Sequence, residues 1–425
     1  MEVDEREAPM SPVLPPPTSL WTPMRQPVFR WLWIASFASY VGSLMQNVGA
    51  AWLMTSLAPH SPMQVALVQT ANHLPTFLLA LPAGALADAL ERRRLLLVTQ
   101  LWMLLAAVLL GILTISGQMT PTWLLLLTFS LGLGSAMNAP AWQALTSDLV
   151  PREEVEQAVA LNSAGFNLAR AVGPGLGGLL VAAAGAGATF LCNAASFLGV
   201  LAVLAAWRQP PPTHARPKEP LRAAMLQGLR YVRDTPGVLS VLVRVGLFLL
   251  FASALWTLLP LMARFGLHTG PTGYGALLGC IGIGAVLGAI GMTSLRQRLG
   301  VDGLLSAASF LYGGGVFLAA ALPRLEVVGP AMALAGAGWL MLLSTCNANV
   351  QACAPSWIRG RAMAVYLMVV FGSLTAGSAL WGGVAARYGW RAALLVAAVG
   401  TATGGLATSR FRVPVVQRED VSAVK

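Results

Sequence analysis

Apolar residues run through window after window of about 20 positions, the length at which a helix crosses the hydrocarbon core of a bilayer. Twelve such windows fall at 29 to 56, 63 to 87, 95 to 115, 121 to 147, 156 to 183, 185 to 207, 238 to 263, 273 to 295, 304 to 322, 327 to 353, 362 to 386 and 388 to 409. A membrane barrel would need strands of about ten residues alternating apolar and polar, and these runs are apolar on every face. The pattern predicts an all-α membrane protein with twelve transmembrane helices. One break is much longer than the rest, residues 208–237. Inside it Leu221, Met225, Leu229 and Val232 recur at helical spacing beside Arg222, Arg230 and Arg233, which suits an amphipathic helix on an anionic inner leaflet.

That break divides the chain six and six. The predicted organisation is a disordered cytoplasmic tail over 1–28, a six-helix bundle over 29–207, a linker over 208–237, a second six-helix bundle over 238–409 and a tail over 410–425. The halves echo one another: "PREEVEQAVAL" from Pro151 aligns with "PSWIRGRAMAV" from Pro355, and the glycine pairs beginning at Gly177 and Gly382 follow at nearly equal intervals. Such repeats predict pseudo-twofold symmetry and two bundles that rock about a central cavity.

Composition agrees, since 56% of the 425 residues are hydrophobic and 10% charged, too few charges to clothe a water-soluble protein of this length. Most of the 27 Lys and Arg fall in segments that are cytoplasmic if both termini are inside, leaving Arg264, Arg324, Arg387 and Arg391 in the outer loops. The net charge of +11 is thus chiefly a topology signal, and scattered loop arginines give no basis for nucleic-acid binding. The acidic, proline-rich leader lacks the positive start of a signal peptide. Cys192, Cys280, Cys346 and Cys353 have no metal-ligand spacing and read as free thiols. Lys218 and Lys425 are the only lysines, which suggests GC-rich bacterial coding and a bacterial inner membrane.

Between the second and third windows stands "LPAGALADALERRRLLLV", in which Gly84, Leu86, Asp88, Arg92 and Arg93 match the loop signature of the major facilitator superfamily. Ala89 and Glu91 depart from it, at positions usually basic and glycine. Gly173, Pro174, Gly177 and Gly178 match the glycine–proline motif of the superfamily's exporters; small residues at that spacing let helices approach closely. With "NVGAAWLMTSL" from Asn47, residues 28–410 resemble the siderophore-exporter-like branch related to enterobactin exporters and transmembrane secretion effectors. The resemblance implies a secondary transporter, expected to be monomeric, that exports a small amphipathic or aromatic siderophore-like metabolite or a drug by proton antiport. The expected partners are substrate, protons and lipid, with no cofactor. An importer or uncoupled carrier of a small organic anion remains open.

A membrane-embedded enzyme acting on lipid is a remote alternative, because the chain has no HExxH and no GxSxG, and an ATP-driven pump is excluded by the missing phosphate-binding loop. A transporter needs polar groups inside the membrane, and these are few. Arg170, near the middle of the fifth span, costs about 2.5–3.5 kcal/mol on insertion scales unless it meets a partner or a wet cavity. It is the leading substrate-binding candidate, with Asn47, Asn138, Trp142, Asn162, Phe166, Trp256 and Asn347 as further cavity candidates. Arg244 is expected to snorkel to the inner surface. No carboxylate lies near the midplane, so the proton-coupling candidates are His73, Asp88 and Asp148. The expected gating set is Gly84, Asp88, Arg92, Arg93, Gly173, Pro174, Gly177 and Gly178, with Asp88 as a latch that accepts from a helix N-terminus or pairs with an arginine. For the arginines, enforcing topology is the competing reading. Each amide also has a structural alternative, as interhelical glue worth about 0.6–2 kcal/mol.

Overall fold

In bilayer hydrocarbon every backbone N–H and C=O must be satisfied within the chain, so a sequence this apolar is confined to helices. The computed structural model describes residues 19–207, 221–355 and 357–411, and among them there are helices and turns but no strand. The helices are α1 (Pro27–Leu57), α2 (Pro62–Ala89), α3 (Arg92–Ile115), α4 (Pro121–Asp148), α5 (Val155–Ala184), α6 (Ala186–Ala206), α7 (Leu221–Asp234), α8 (Pro236–Leu261), α9 (Pro271–Ala321), α10 (Leu325–Cys353), α11 (Arg359–Tyr388) and α12 (Trp390–Ala407). Among the described residues nine helical segments are long and apolar enough to cross a membrane.

Local chemistry sets the boundaries. Proline opens α1, α4, α8 and α9, where a missing N–H leaves no helical bond unmade. Gly185 (φ 80°) joins α5 to α6 and Gly389 (φ 84°) joins α11 to α12, a left-handed conformation that a side chain would strain. The spans expected at 273–295 and 304–322 are continuous in α9, and Gly300 (φ 70°) interrupts the helix between them. Hydropathy had placed a loop there because Arg296, Arg298 and Asp302 are polar; the turn is made by one residue instead.

Packing follows small residues. α1 lies against α5 and α6, α3 against α4 and α6, α8 against α11 and α12, and α9 against α10 and α12. Contacts between the first six helices and the later ones come chiefly from α2 on α11 and α5 on α9. The amphipathic helix expected within 208–237 is present as α7, with Val232 buried and the Tyr231 hydroxyl donating to the Cys353 carbonyl at 2.9 Å. Leu226 and Leu229 remain exposed beside Arg230 and Arg233. Residues 1–18, 208–220 and 412–425, which hold most of both expected tails and half of the linker, lie outside the described residues, as does Ser356.

Arg244 corrects the expectation of snorkelling. Only 4% of it is exposed; its Nε donates to the Thr408 carbonyl (3.0 Å) and its Nη2 to the Ser409 carbonyl (3.1 Å) and Asp302 Oδ1 (3.0 Å). The guanidinium turns inward because the end of α12 and the second arm of α9 offer it acceptors within reach, and buried acceptors hold a charge that water would otherwise solvate. The four cysteines are free thiols, with Cys346 fully buried.

The α9–α10 contact yields a paired test. A Cβ at Gly288 would lie 2.8 Å from Ala337 Cα, whereas at Gly279 it would meet nothing within 4 Å. Gly288→Ala should lower the thermal midpoint in detergent by the equivalent of about 1–3 kcal/mol of overpacking. Gly279→Ala should leave it unchanged or raise it, through a helix-propensity gain of up to about 1 kcal/mol. Equal midpoints would show that α9 and α10 are not close-packed.

Candidate functional site

The fifth helix carries the residues that the sequence singles out. Asn162, Phe166 and Arg170 recur every four residues on one face of α5, facing α1 and α4. Phe166 meets Tyr40 of α1 edge-on, with centroids 5.3 Å apart and planes at 85°. The Arg170 guanidinium lies 5.9 Å over the Phe166 ring, and among the described residues it has no ion-pair or hydrogen-bond partner. The Trp142 indole of α4 lies beside Tyr40, its N–H buried without a hydrogen-bond acceptor among the described residues. One turn nearer the start of α1, Phe37 stacks on Trp33 at 5.9 Å, and Trp33 Nε1 donates to the Leu161 carbonyl at 3.1 Å. Gly165 lets this indole pack closely on α5, since a Cβ there would come within 3.2 Å of the ring.

The result is one cation on an aromatic wall built from α1, α4 and α5. Such an array can hold an anionic group through the five donors of the guanidinium while aromatic faces cover the rest of the ligand. Sequence reasoning missed Trp33, Phe37 and Tyr40, although their spacing of i, i+4 and i+7 marks one helical face.

The remaining expected residues separate. Asn162 Nδ2 donates to Thr146 Oγ1 at 3.0 Å, and Asn138 Oδ1 accepts from Thr99 Oγ1 at 3.2 Å, so both tie neighbouring helices together. Gln46 Oε1 accepts from Asn193 Nδ2 at 2.7 Å between α1 and α6. Asn47 is half-buried in α1. Asn347 accepts from Gln351 one turn on in α10. Trp256 meets Trp339 edge-on at 5.2 Å, and neither indole N–H has a hydrogen-bond acceptor among the described residues. His73 of α2 faces Phe371 of α11, ring centroids 5.7 Å apart.

The arginine cluster after α2 braces its own neighbourhood. Arg92 Nη1 pairs with Asp148 Oδ2 at 2.5 Å and reaches the Ala144 carbonyl at 3.4 Å. Arg93 donates through Nε to the Leu204 carbonyl (2.8 Å) and through Nη2 to that of Ala205 (3.0 Å). Asp148 therefore carries an ion pair. The side chains of residues 84–89, Asp88 included, lie outside the described residues.

At the opposite end the first six helices are drawn onto the later ones. A Cβ at Gly178 would lie 2.6 Å from the Pro271 carbonyl oxygen and 2.9 Å from Gly275 Cα, and one at Gly275 would lie 2.9 Å from the Pro174 carbonyl oxygen. Gly173 and Gly177 instead serve the α1 contact, against Leu44 and Met45. Past α8 the chain winds as a π-helix, Met262–Gly266. From it Arg264 Nη1 donates to Thr55 Oγ1 (2.9 Å) and Ser56 Oγ (2.5 Å) at the end of α1, with the guanidinium 5.5 Å over Trp52. Trp52 in turn stacks on Tyr274 at 6.1 Å. Arg264, one of four arginines in the loops expected to face outward, was the sequence signal for this contact.

Comparisons with known proteins give a family and a fold. Residues 18–425 match a family model described as transmembrane secretion effector. The chain is 30% identical over 177 residues to the staphyloferrin A transporter of Staphylococcus aureus, covering 41% of this chain and 44% of that protein. It is 30% identical over 243 residues to the enterobactin exporter EntS of Shigella boydii, covering 56% of each. The chain thus spans about half the length of these two relatives. Against the multidrug efflux pump Tap of Mycolicibacterium fortuitum it is 26% identical over 374 residues, 85% of this chain and 90% of that one. In fold it resembles an inward-facing, unoccupied bacterial homologue of the human lysosomal transporter Spinster, with a TM-score of 0.69 at 16% identity, covering 92% of this chain and 98% of that chain.

The Arg170 wall predicts a graded response in binding of an aromatic carboxylate or catecholate to purified protein. Arg170→Ala should weaken binding about ten-fold or more, the scale of one charge-assisted hydrogen bond, and Arg170→Lys should do so by less, with the thermal midpoint kept in both. An equal loss of folded protein in the two variants would make Arg170 a structural residue.

Proposed function

We propose, for a chain that belongs to the transmembrane secretion effector family of the major facilitator superfamily, alternating-access export of a small amphipathic or aromatic anion, siderophore-like or drug-like, across the bacterial inner membrane. Family membership makes the chain a multi-pass membrane transporter and not an enzyme. The observation that carries the finer reading is Arg170: a cation inside a membrane span, resting on an aromatic face and paired with no carboxylate among the described residues. A charge so placed costs a few kcal/mol and is retained where it meets a ligand or a wet cavity. Relatives whose names give siderophores and drugs as cargo support the same class.

On this reading the two arms of α9 count as separate spans, giving two six-helix bundles, 29–207 and 238–409, related by a pseudo-twofold axis and joined by the α7 linker. Gly185 and Gly389, which make the same turn before the last span of each half, support the repeat. With the arginine-rich end cytoplasmic and both termini inside, the Gly178–Gly275 and Arg264–Thr55 contacts close the outer side. The state is then inward-open, with the Arg170 wall accessible from the cytoplasm.

Export requires the outer contacts to part. Coupling by proton antiport falls to His73, whose imidazole sits on the α2–α11 seam whose halves must separate. Asp148, bound to Arg92 within one bundle, is less exposed to that movement.

Two measurements test this. Gly178→Ala places a methyl against the backbone of α9, and Arg264→Ala removes the bonds to Thr55 and Ser56. Both should increase the labelling of a cysteine introduced on the outer side by an impermeant maleimide; labelling at the wild-type rate would remove the outer-closed assignment. In everted vesicles energised acidic inside, addition of an iron-free siderophore or an aromatic anion should dequench a pH-sensitive dye, and His73→Gln should abolish the signal while substrate binding persists. Dequenching retained in His73→Gln moves the proton elsewhere, and substrate uptake into vesicles without dequenching would establish uncoupled export.

A further inference from the structure

The first turns of α1 and the last turns of α6 leave a groove at the arginine-rich end of the molecule. Its walls are Pro27, Val28, Trp31, Ala202, Val203, Ala206 and Trp207, and it offers about 350 Å³, at the lower end of the roughly 300–1,000 Å³ usual for small-molecule sites. These side chains offer a ligand hydrocarbon and aromatic surface and no hydrogen-bonding side chain apart from the indole N–H groups. The rim is different. The Arg30 guanidinium lies 5.8 Å over the Trp31 ring, Arg25 is exposed in the turn before α1, and neither has an ion-pair partner among the described residues. Arg93 adds a third cation, fixed on the carbonyls of Leu204 and Ala205 beside the groove wall. No Asp or Glu occurs between residues 19 and 57 or between 186 and 207, so neither wall helix offsets this charge.

We propose that this groove binds an anionic phospholipid, with one acyl chain along Trp31, Val203 and Trp207 and the phosphate on Arg30. Charge complementarity selects this occupant. A neutral lipid would fill the apolar part and leave Arg30 without a counter-charge, while a soluble phosphate would satisfy Arg30 and leave the groove empty. Trp31, 56% exposed, stands where an interfacial tryptophan places its ring against acyl chain and its N–H near headgroups. Because the groove joins α1 to α6 on the outside of the first bundle, away from the Arg170 wall, the lipid binds apart from the transported molecule.

The test uses the full chain in a non-ionic detergent, titrated with phosphatidylglycerol or phosphatidylcholine of identical acyl chains and read by native mass spectrometry. Phosphatidylglycerol should be retained about five-fold more tightly, the scale of one arginine near a charged headgroup. Arg30→Ala should erase the preference and Arg30→Lys should keep it. Ala202→Trp, which fills the groove, should release both lipids. A second measurement does not depend on that variant folding. Phosphatidylglycerol with a brominated acyl chain should quench tryptophan emission, and Trp31→Phe should remove the part of the quenching that unlabelled phosphatidylglycerol competes away at about five-fold lower concentration than phosphatidylcholine. Equal retention of the two lipids by wild type, a preference that survives Arg30→Ala, or inorganic phosphate competing as well as the lipid would each overturn the proposal.

Discussion

A transmembrane helix ends with four carbonyls that no further turn can pair, and at the ends of α6, α9 and α12 this protein closes two of them with an arginine. Arg93 reaches from the start of α3 to the last carbonyls of α6, Arg244 from α8 to those after α12, and Arg391 from α12 to Ala320 and Ala321 at the end of α9. In each case Nε and Nη2 take consecutive carbonyls, which the rigid fork of a guanidinium fits and a lysine ammonium does not. A cation at a helix C-terminus also gains about 0.3–1 kcal/mol from the dipole at low exposure. Each cap fastens one helix to another, so satisfying the backbone and assembling the helix bundle are accomplished by the same contacts. On the two-bundle reading the halves solve the problem differently, since the second uses an arginine from its first span and holds Asp302 as well.

Against that rule the arginines that cap nothing stand out. Arg170 rests on a ring, Arg30 lies over a surface tryptophan, and Arg264 bonds two hydroxyls across the seam between the early and late helices. Hydroxyls can turn to water when released, whereas a helix-end carbonyl stripped of its donor in a buried place stays unpaired. On the alternating-access reading the Arg264 contact breaks in every cycle, and one made to hydroxyls is cheaper to break. Contacts within one bundle, such as Arg93 on α6 or Arg92 on Asp148, carry no such requirement and use charge-assisted bonds to groups that move together.

The helices were legible because the membrane imposes one length and one composition, nine of them being long and apolar enough to cross it among the described residues, and the amphipathic α7 was legible from its period. The glycines of α5 were legible as close approaches, but not that Gly178 meets α9 while Gly173 and Gly177 meet α1, because spacing names a face and not the neighbour on it. The amides show the same limit. Asn138 and Asn162 look like cavity residues in a chain with few polar groups, yet Thr99 and Thr146 on adjacent helices take their side chains. Arg244 was misplaced because its two carbonyl acceptors lie more than 160 positions further along. Arg170 was readable because no near neighbour in sequence could neutralise it.

The position of Arg170 also bears on how a ligand could drive the cycle. In lipid no hydrophobic force presses helix on helix, so the seam from Gly178 and Gly275 to Gly282 is held by close packing and a few polar contacts. A ligand shifts a conformational equilibrium only by the difference between its affinities for the two states. A Cβ at Gly282 of α9 would stand 3.7 Å from the Arg170 carbonyl oxygen, which places the cation's own backbone on the α5–α9 seam. On the alternating-access reading proposed above, withdrawal of α9 from α5 would change the dielectric around the guanidinium and with it the strength of any anion–arginine contact, so an anion held there would bind the two states unequally.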